Sequence, residues 1–337
     1  MSYFHLNLIL KGKLTVCCLL MLPAIPLNAQ REAKQIGDFK ESISLNEHLR
    51  GTKRTLQYRP DGDEFVCVNG KNRYTRALYG SHSPFRVETS DRPVFAFYNN
   101  GRGGNISFKV ILRDGTELAL DCTGHCESRY SAGKRTYYLT DPSWGKGELR
   151  ISVLALADMD GAIWRFSPSN MPKGAILRWQ HGGATGKRLS RNGDMGVDPA
   201  DCFELPVEAT DLVTGELPLQ KEVYLVRGEV PEDYNVRKLY QQAEAASLAL
   251  ASHLKIETPD PYLNTLGGAL VAAADGIWDG QVWLHGAIGW RMPLSGWRAG
   301  YTGDALGWHD RARTHFDAYA ASQVTDVPNT ICLLYTS

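Results

Sequence analysis

The chain has 337 residues, 43% hydrophobic and 22% charged, the proportions of a globular protein with room for about two domains. Lysine plus arginine and aspartate plus glutamate both number 37, for a formal net charge of +0. A nucleic-acid binder would carry a basic surplus, so the balance argues against such a partner and for a neutral ligand.

Residues 1–29 read as a secretory signal peptide. Lys11 and Lys13 precede the apolar run 14–27, and the small residue Ala29 marks the expected cleavage site. The run is short and broken by Pro23 and Pro26, which argues against a membrane span. The mature chain is therefore expected to be secreted or periplasmic, with no membrane attachment once the leader is cut. Cys17 and Cys18 leave with the leader, and Cys67, Cys122, Cys126 and Cys202 remain, an even number compatible with disulfides in an oxidising compartment. The spacing of "CTGHC" permits a small loop closed by Cys122 and Cys126. His125 between them suggests a metal, but no second ligand pair follows at zinc spacing, so neither metal nor cofactor is expected.

Residues 31–230 are patterned mostly with period two. "GNISFKVILRDGTELALD" holds two alternating runs joined by Asp114 and Gly115, a hairpin signal. "RTYYLTD", "GELRISVLALADMDGAIWRFS", "GAILRWQ" and "KEVYLVRGE" continue in that manner without an intervening helical pattern. An antiparallel β-sandwich of about a dozen strands is the architecture this predicts. "NNGRGGN" from Asn99 and "DMDG" from Asp158 read as turns, not as a phosphate cradle or a calcium loop.

The pattern changes near Val230. Residues 231–257 form a helical linker, with Val236, Leu239, Tyr240, Ala243, Ala246, Leu250 and Leu254 near one face. Residues 258–330 open a helical domain: Asp260 is placed as an N-cap, Pro261 as the first helical residue, and Leu263, Leu266, Leu270, Ala274 and Ile277 as the apolar stripe. A third helix is predicted from near Asp304, with Ala305, Trp308, Ala312, Phe316 and Tyr319 at helical spacing. Asp304 would then either cap that helix or reach a ligand. "ICLLYTS", residues 331–337 with Cys332, breaks the style of the chain and reads as sequencing read-through.

Between the second and third helices lies a long aromatic loop, roughly residues 278–303, and loops of such length usually form or cover sites. Sugars present flat C–H patches beside many hydroxyls. Trp283, Trp290 and Trp297 offer aromatic faces, while His285, Arg291, Arg298 and Asp304 offer planar polar groups. Gly286, Gly289, Gly296, Gly300 and Gly303 would let the backbone turn between them. The alternative is that the tryptophans are plain core, each indole N–H then needing a partner.

"MPLSGWRAGYTGDA" resembles the signature loop of the α-L-rhamnosidases, and more loosely the six-hairpin glycosidases built on an (α/α)6 barrel. Against the pattern C-P-Q-R-D-E-R-x-G-W-x-G-D, Pro293, Arg298, Gly300, Gly303 and Asp304 match, and Tyr301 stands where the pattern has tryptophan. The chain also resembles an exported family of unassigned function from polysaccharide-degrading bacteria. The resemblance implies a β-sandwich, a linker helix and then the first helices of a truncated barrel. Trp297 occupies the place of the general-acid glutamate and Gly296 that of the preceding aspartate, so the proton donor of that family is missing here.

Three functional readings follow. The first is the N-terminal portion of a secreted glycoside hydrolase acting on oligosaccharides or polysaccharides, which the resemblance makes inverting. Its candidate acids are Asp275, Asp279, Asp304 and Asp310; Asp304 and Asp279 are the expected catalytic pair, and Tyr301 joins the tryptophans as a substrate contact. Asp275 and Asp279, four residues apart at a helix end, share a face and either pair or stand as solvated helix-end charges. The second is a carbohydrate-binding protein without catalysis, favoured by Trp297. The third is a lyase on the same barrel, for which Tyr301, His285 and Arg291 would serve.

Overall fold

The computed structural model describes residues 7–10, 57–71, 74–99, 102–182, 212–231, 233–285 and 297–323. In chain order the strands begin as β1 (Asn7–Leu10), β2 (Arg59–Asp61), β3 (Glu64–Val68), β4 (Tyr74–Tyr79), β5 (Arg86–Ser90) and β6 (Phe95–Asn99). They continue as β7 (Arg102–Ile111), β8 (Glu117–Ala119), β9 (His125–Ser131), β10 (Lys134–Thr140), β11 (Glu148–Ala155) and β12 (Gly161–Ser169). After β13 (Ile176–Gly182), β14 (Val213–Pro218) and β15 (Val223–Gly228) come α1 (Val236–Ala251), β16 (Leu254–Glu257), α2 (Pro261–Gly276), α3 (Trp297–Ala305) and α4 (His309–Ala321).

One sheet runs β15-β12-β11-β10-β9-β3-β2 and the other β14-β13-β7-β6-β5-β4, with β8 on the edge of β7. All pairings are antiparallel, as the alternating sequence predicts. The expected hairpin forms: Gly115 takes φ 89 and the Asp114 carboxylate accepts the Thr116 N–H at 2.9 Å. The two sheets meet face to face through aromatic rings. Phe95 of one sheet meets Tyr137 and Trp164 of the other edge-on at 5.7 and 5.6 Å, and Phe108 meets Phe166 at 5.1 Å. Strand parity decides this core: Ile106, Phe108 and Val110 alternate inward along β7, as do Leu149, Ile151 and Val153 along β11. β2, only three residues long, is too brief to show a period.

Cys67, Cys122 and Cys126 are free thiols, so the small loop expected between Cys122 and Cys126 is not closed. Cys126 is buried in the sandwich core while Cys122 is exposed, and burial pushes the Cys126 thiol up to about 12. Cys202 lies outside the described residues.

Helix α1 packs on the outer face of the first sheet, burying Tyr240 and Ala243 against Leu154, Leu156 and Ile163. Lys134–Glu244 at 3.0 Å and the Ser247 hydroxyl donating to Ala132 O at 2.7 Å fix its register. Of the expected linker stripe, Val236, Leu239, Tyr240, Ala243 and Leu250 are buried or half-buried, Ala246 is exposed, and Leu254 belongs to β16. Helix α2 starts as the sequence predicts, with Asp260 capping the Tyr262 N–H at 2.8 Å and Pro261 at the first position.

The buried face of α2 differs from the expected leucine stripe. Leu263 and Leu270 are 45% and 51% exposed, while Thr265, Gly267, Val271, Ala272 and Gly276 are buried. Close approach is the reason. A Cβ at Gly267 would lie 2.9 Å from the Leu254 carbonyl, and one at Gly276 would overlap the Tyr79 ring. The small-residue face is the one that can reach its neighbours. Of the expected stripe, Leu266 does pack against the sandwich core.

Within the expected leader, Asn7–Leu10 pairs antiparallel with β16, a pairing that only the uncleaved chain can make. Among the described residues no helix is long and apolar enough to cross a membrane.

Candidate functional site

The third helix differs from its expected limits. α3 begins at Trp297 and ends at Ala305, Gly307 turns the chain at φ 77, and α4 starts at His309. Asp304 therefore stands in the last turn of a helix and caps nothing at a helix start. A Gly with positive φ just past the last turn closes α3, with the Trp308 N–H donating to Gly303 O at 2.8 Å.

α3 has two unlike faces. Ala299, Gly300, Gly303 and Leu306 are turned inward. A Cβ at Gly303 would collide with the Trp283 indole, and one at Gly300 with the Phe316 ring. These glycines thus serve helix packing, where the sequence suggested loop turns. Arg298, Tyr301 and Asp304, at three-residue intervals, are exposed on the other side, Tyr301 by 63%. Asp304 Oδ1 bonds His309 Nδ1 at 2.5 Å, and with both side chains about 60% exposed this pair is a positional feature more than a source of stability.

Trp283 departs from the expectation of an open platform. Trp283 is only 2% exposed, so it presents no face to a ligand. It lies 4.6 Å from Trp278 and 6.5 Å from Trp308, its indole N–H donates to Ala274 O at 3.0 Å, and its backbone N–H donates to His315 Nδ1 at 3.2 Å. That satisfied indole makes it core, the alternative the sequence left open. His285 is exposed. Trp290 and Arg291 lie outside the described residues, and Trp297 is placed only as the first residue of α3.

Asp275 and Asp279 have separate partners and do not pair. Asp279 accepts the Gln281 and Val282 N–H groups at 2.9 and 2.7 Å, which makes it the clasp of the turn leading to Trp283. Asp275 is bonded instead by His82 Nε2 at 3.2 Å and Arg311 Nη1 at 2.7 Å. Burial alone would push its carboxyl up; the His82 and Arg311 bonds outweigh burial and hold it below its ordinary 3.8, ionised. Arg311 in turn lies over the Trp308 and Trp278 rings at 4.6 and 5.7 Å.

Sequence reasoning missed His82, and the reason is that its partner is far along the chain. The "SHS" loop after β4 is held at both shoulders: Ser81 and Ser83 each donate to Asp160 Oδ1 at 2.5 Å. Asp160 belongs to the "DMDG" turn between β11 and β12. That turn therefore projects His82 across the junction toward α2. The only local signal was the run of polar side chains around His82 in an otherwise alternating segment.

The polar assets fall into two groups: an exposed row on α3, and a buried Asp275 clamp where sandwich and helices meet. No curated protein shows a significant match to the chain. A family described as a domain of unknown function (DUF4450) matches residues 100–229. The matched stretch runs from β7 to β15, strands of both sheets, and it contains neither group.

Proposed function

We propose that this chain is an exported carbohydrate-binding protein whose helical unit takes oligosaccharide on the outer face of α3, beside the junction with α4. The observation that carries it is the row Arg298, Tyr301 and Asp304: one outward aromatic ring flanked by planar polar groups, with Asp304 and His309 already in register. A pyranose laid on Tyr301 would find a guanidinium on one side and a carboxylate–imidazole pair on the other.

Binding ranks above hydrolysis because cleavage needs a carboxylic acid to protonate the leaving oxygen and a second carboxylate across the bond. Asp275 is held ionised by two partners, Asp279 is used by a turn, and Asp304 is paired with His309. Asp310 is exposed in the first turn of α4, where its place at the helix N-terminus complements the helix dipole. The hydrolase and lyase expectations need groups beyond the described residues. The barrel likeness enters on the same footing: with α1 as the linker helix, α2 to α4 are read as the first helices of an (α/α)6 barrel. Leu263, Leu270 and Phe316, each at least 40% exposed, are the faces that further helices would cover.

Isothermal titration of the whole chain with a panel of plant and host oligosaccharides tests the proposal. At least one should bind saturably, and Tyr301→Ala should weaken it about tenfold or more, which is about 1.4 kcal/mol. Equal binding by Tyr301→Ala, or no binding by the wild type across the panel, would overturn the reading.

A further inference from the structure

A second site is built where sandwich and helices meet. A cavity of about 220 Å3 opens there, walled by Ala77 and Ala155 from strands and by Ala246 and Ala272 from α1 and α2. Four polar side chains line it: Tyr79, His82, Ser247 and Asp275. The small walls are a consequence of the close approach that sets the fold, since Gly80 and Gly133 also line the cavity. A Cβ at Gly80 would collide with the Leu156 carbonyl, and one at Gly133 would come within 2.6 Å of the Ser247 hydroxyl.

The chemistry of the lining is mixed and close to neutral. Asp275 spends Oδ1 on both His82 and Arg311, while Oδ2 bonds no described residue. Its charge is balanced by Arg311 at 2.7 Å, so the carboxylate offers an acceptor without an excess of negative field. The Ser247 hydroxyl gives its proton to Ala132 O, which leaves its lone pairs to accept. Burial pushes the Tyr79 phenol up to about 12, so near neutral pH it keeps its proton and can donate. Residues carrying acceptors and a donor therefore line the cavity together with small alanine walls.

We infer that this seam cavity binds one compact neutral polyol, a single monosaccharide ring in size, with Asp275 and Ser247 accepting from its hydroxyls. Several alternatives fit less well. An anion would meet the Asp275 carboxylate, and a purely apolar ligand would leave Oδ2 unpaired. The volume lies below the roughly 300–1,000 Å3 of sites for drug-sized ligands, which suits a single sugar ring within the cavity. The site is separate from the face of α3 and stands whether or not that face binds sugar.

Saturation-transfer NMR of the whole chain with D-glucose, L-rhamnose and glycerol, each titrated to tens of millimolar, tests the inference. At least one probe should give a saturable signal. Ala246→Leu fills the cavity from α1, at an exposed position suited to leucine in a helix, and should abolish the signal. Ala157→Leu, which fills it from the sandwich side, should do the same and guards against a folding defect peculiar to the first variant. Tyr301→Ala should leave the signal unchanged. The inference falls if no probe saturates on the wild type, or if both filled variants bind as the wild type does. It falls as well if Tyr301→Ala rather than the fillings removes the signal, since the sugar then sits on α3.

Discussion

The sandwich and the helical unit hide their apolar residues by different rules. In the sandwich, parity selects what is buried, and the largest side chains fill the interior: Phe95, Phe108, Trp164 and Phe166 are all within 2% of full burial. In α2 the order is reversed, with Leu263 and Leu270 outside and Gly267, Ala272 and Gly276 inside. A strand has only two faces, so alternation leaves no choice once one face meets the other sheet. A helix can turn any face inward, and contact with a backbone such as that of β16 rewards the smallest. Size marks the buried face of a strand, whereas in this helix smallness marks it.

The largest effect that could break the comparison is at two buried indoles, one in each region. Trp164→Ala should cost about 3–5 kcal/mol in urea unfolding, the range for truncating a core aromatic. Trp283→Ala should cost a similar amount, because it too is sealed, though in the helical unit. A loss below about 1 kcal/mol at Trp283 would mean its ring is not core in solution, and the open aromatic platform would be restored.

Next comes the clamp that joins the regions. Asp275→Asn keeps the shape but removes the charge that Arg311 and His82 grip, and should cost about 1.5–3 kcal/mol at pH 7. The pH dependence has a definite sign. The folded carboxyl lies below its ordinary 3.8, so the folded state binds fewer protons near that pH and gains stability as pH rises through it. This contribution is present above about pH 4 and lost as pH falls through the folded value. Thermal melts should show the wild type losing its advantage over Asp275→Asn below about pH 4. An advantage independent of pH between 7 and 3 would show that the ion pairs do not form.

Gly276→Val is a sharper probe of smallness itself. Two methyls would be forced against the Tyr79 ring, and overpacking of this kind costs about 1–3 kcal/mol. If valine were tolerated within about 0.5 kcal/mol, α2 would sit further from the sandwich and the close-approach rule would fail.

How far the sequence could be read follows the same division. Strands such as β7, β10, β11, β12, β13 and β15 were legible because alternation carries the inside–outside decision in every pair of residues, and the Asp114–Gly115 turn states its own geometry. The start of α2 was legible from Asp260 and Pro261, whose chemistry is local. The helix periods were legible too, but not which face was inward, because that depends on a partner surface absent from the helix's own sequence. The site was legible only in part. Arg298, Tyr301 and Asp304 do share an exposed face, while Trp283 was taken for a platform because an indole with a backbone partner looks the same in sequence as one awaiting a ligand. The bonds from His82 and Arg311 to Asp275 span 193 and 36 residues, and no local pattern encodes them.

The smallest effect bears hardest on the rule. Leu270 is 51% exposed, so Leu270→Ser removes a side chain that the fold leaves half in water. A buried leucine truncated to a small residue costs about 2–5 kcal/mol, whereas a surface change away from special features stays within about 0.5. Urea unfolding at low protein concentration should therefore place Leu270→Ser within about 0.5 kcal/mol of the wild type. Repeating it over a hundredfold range of concentration separates the two ways it could fail. A cost above 1 kcal/mol that grows with concentration would mean a second copy covers Leu263 and Leu270 in solution. A cost that large at every concentration would mean the leucine face is buried within one chain, and the comparison with the sandwich would then collapse, because size would mark the inside of both.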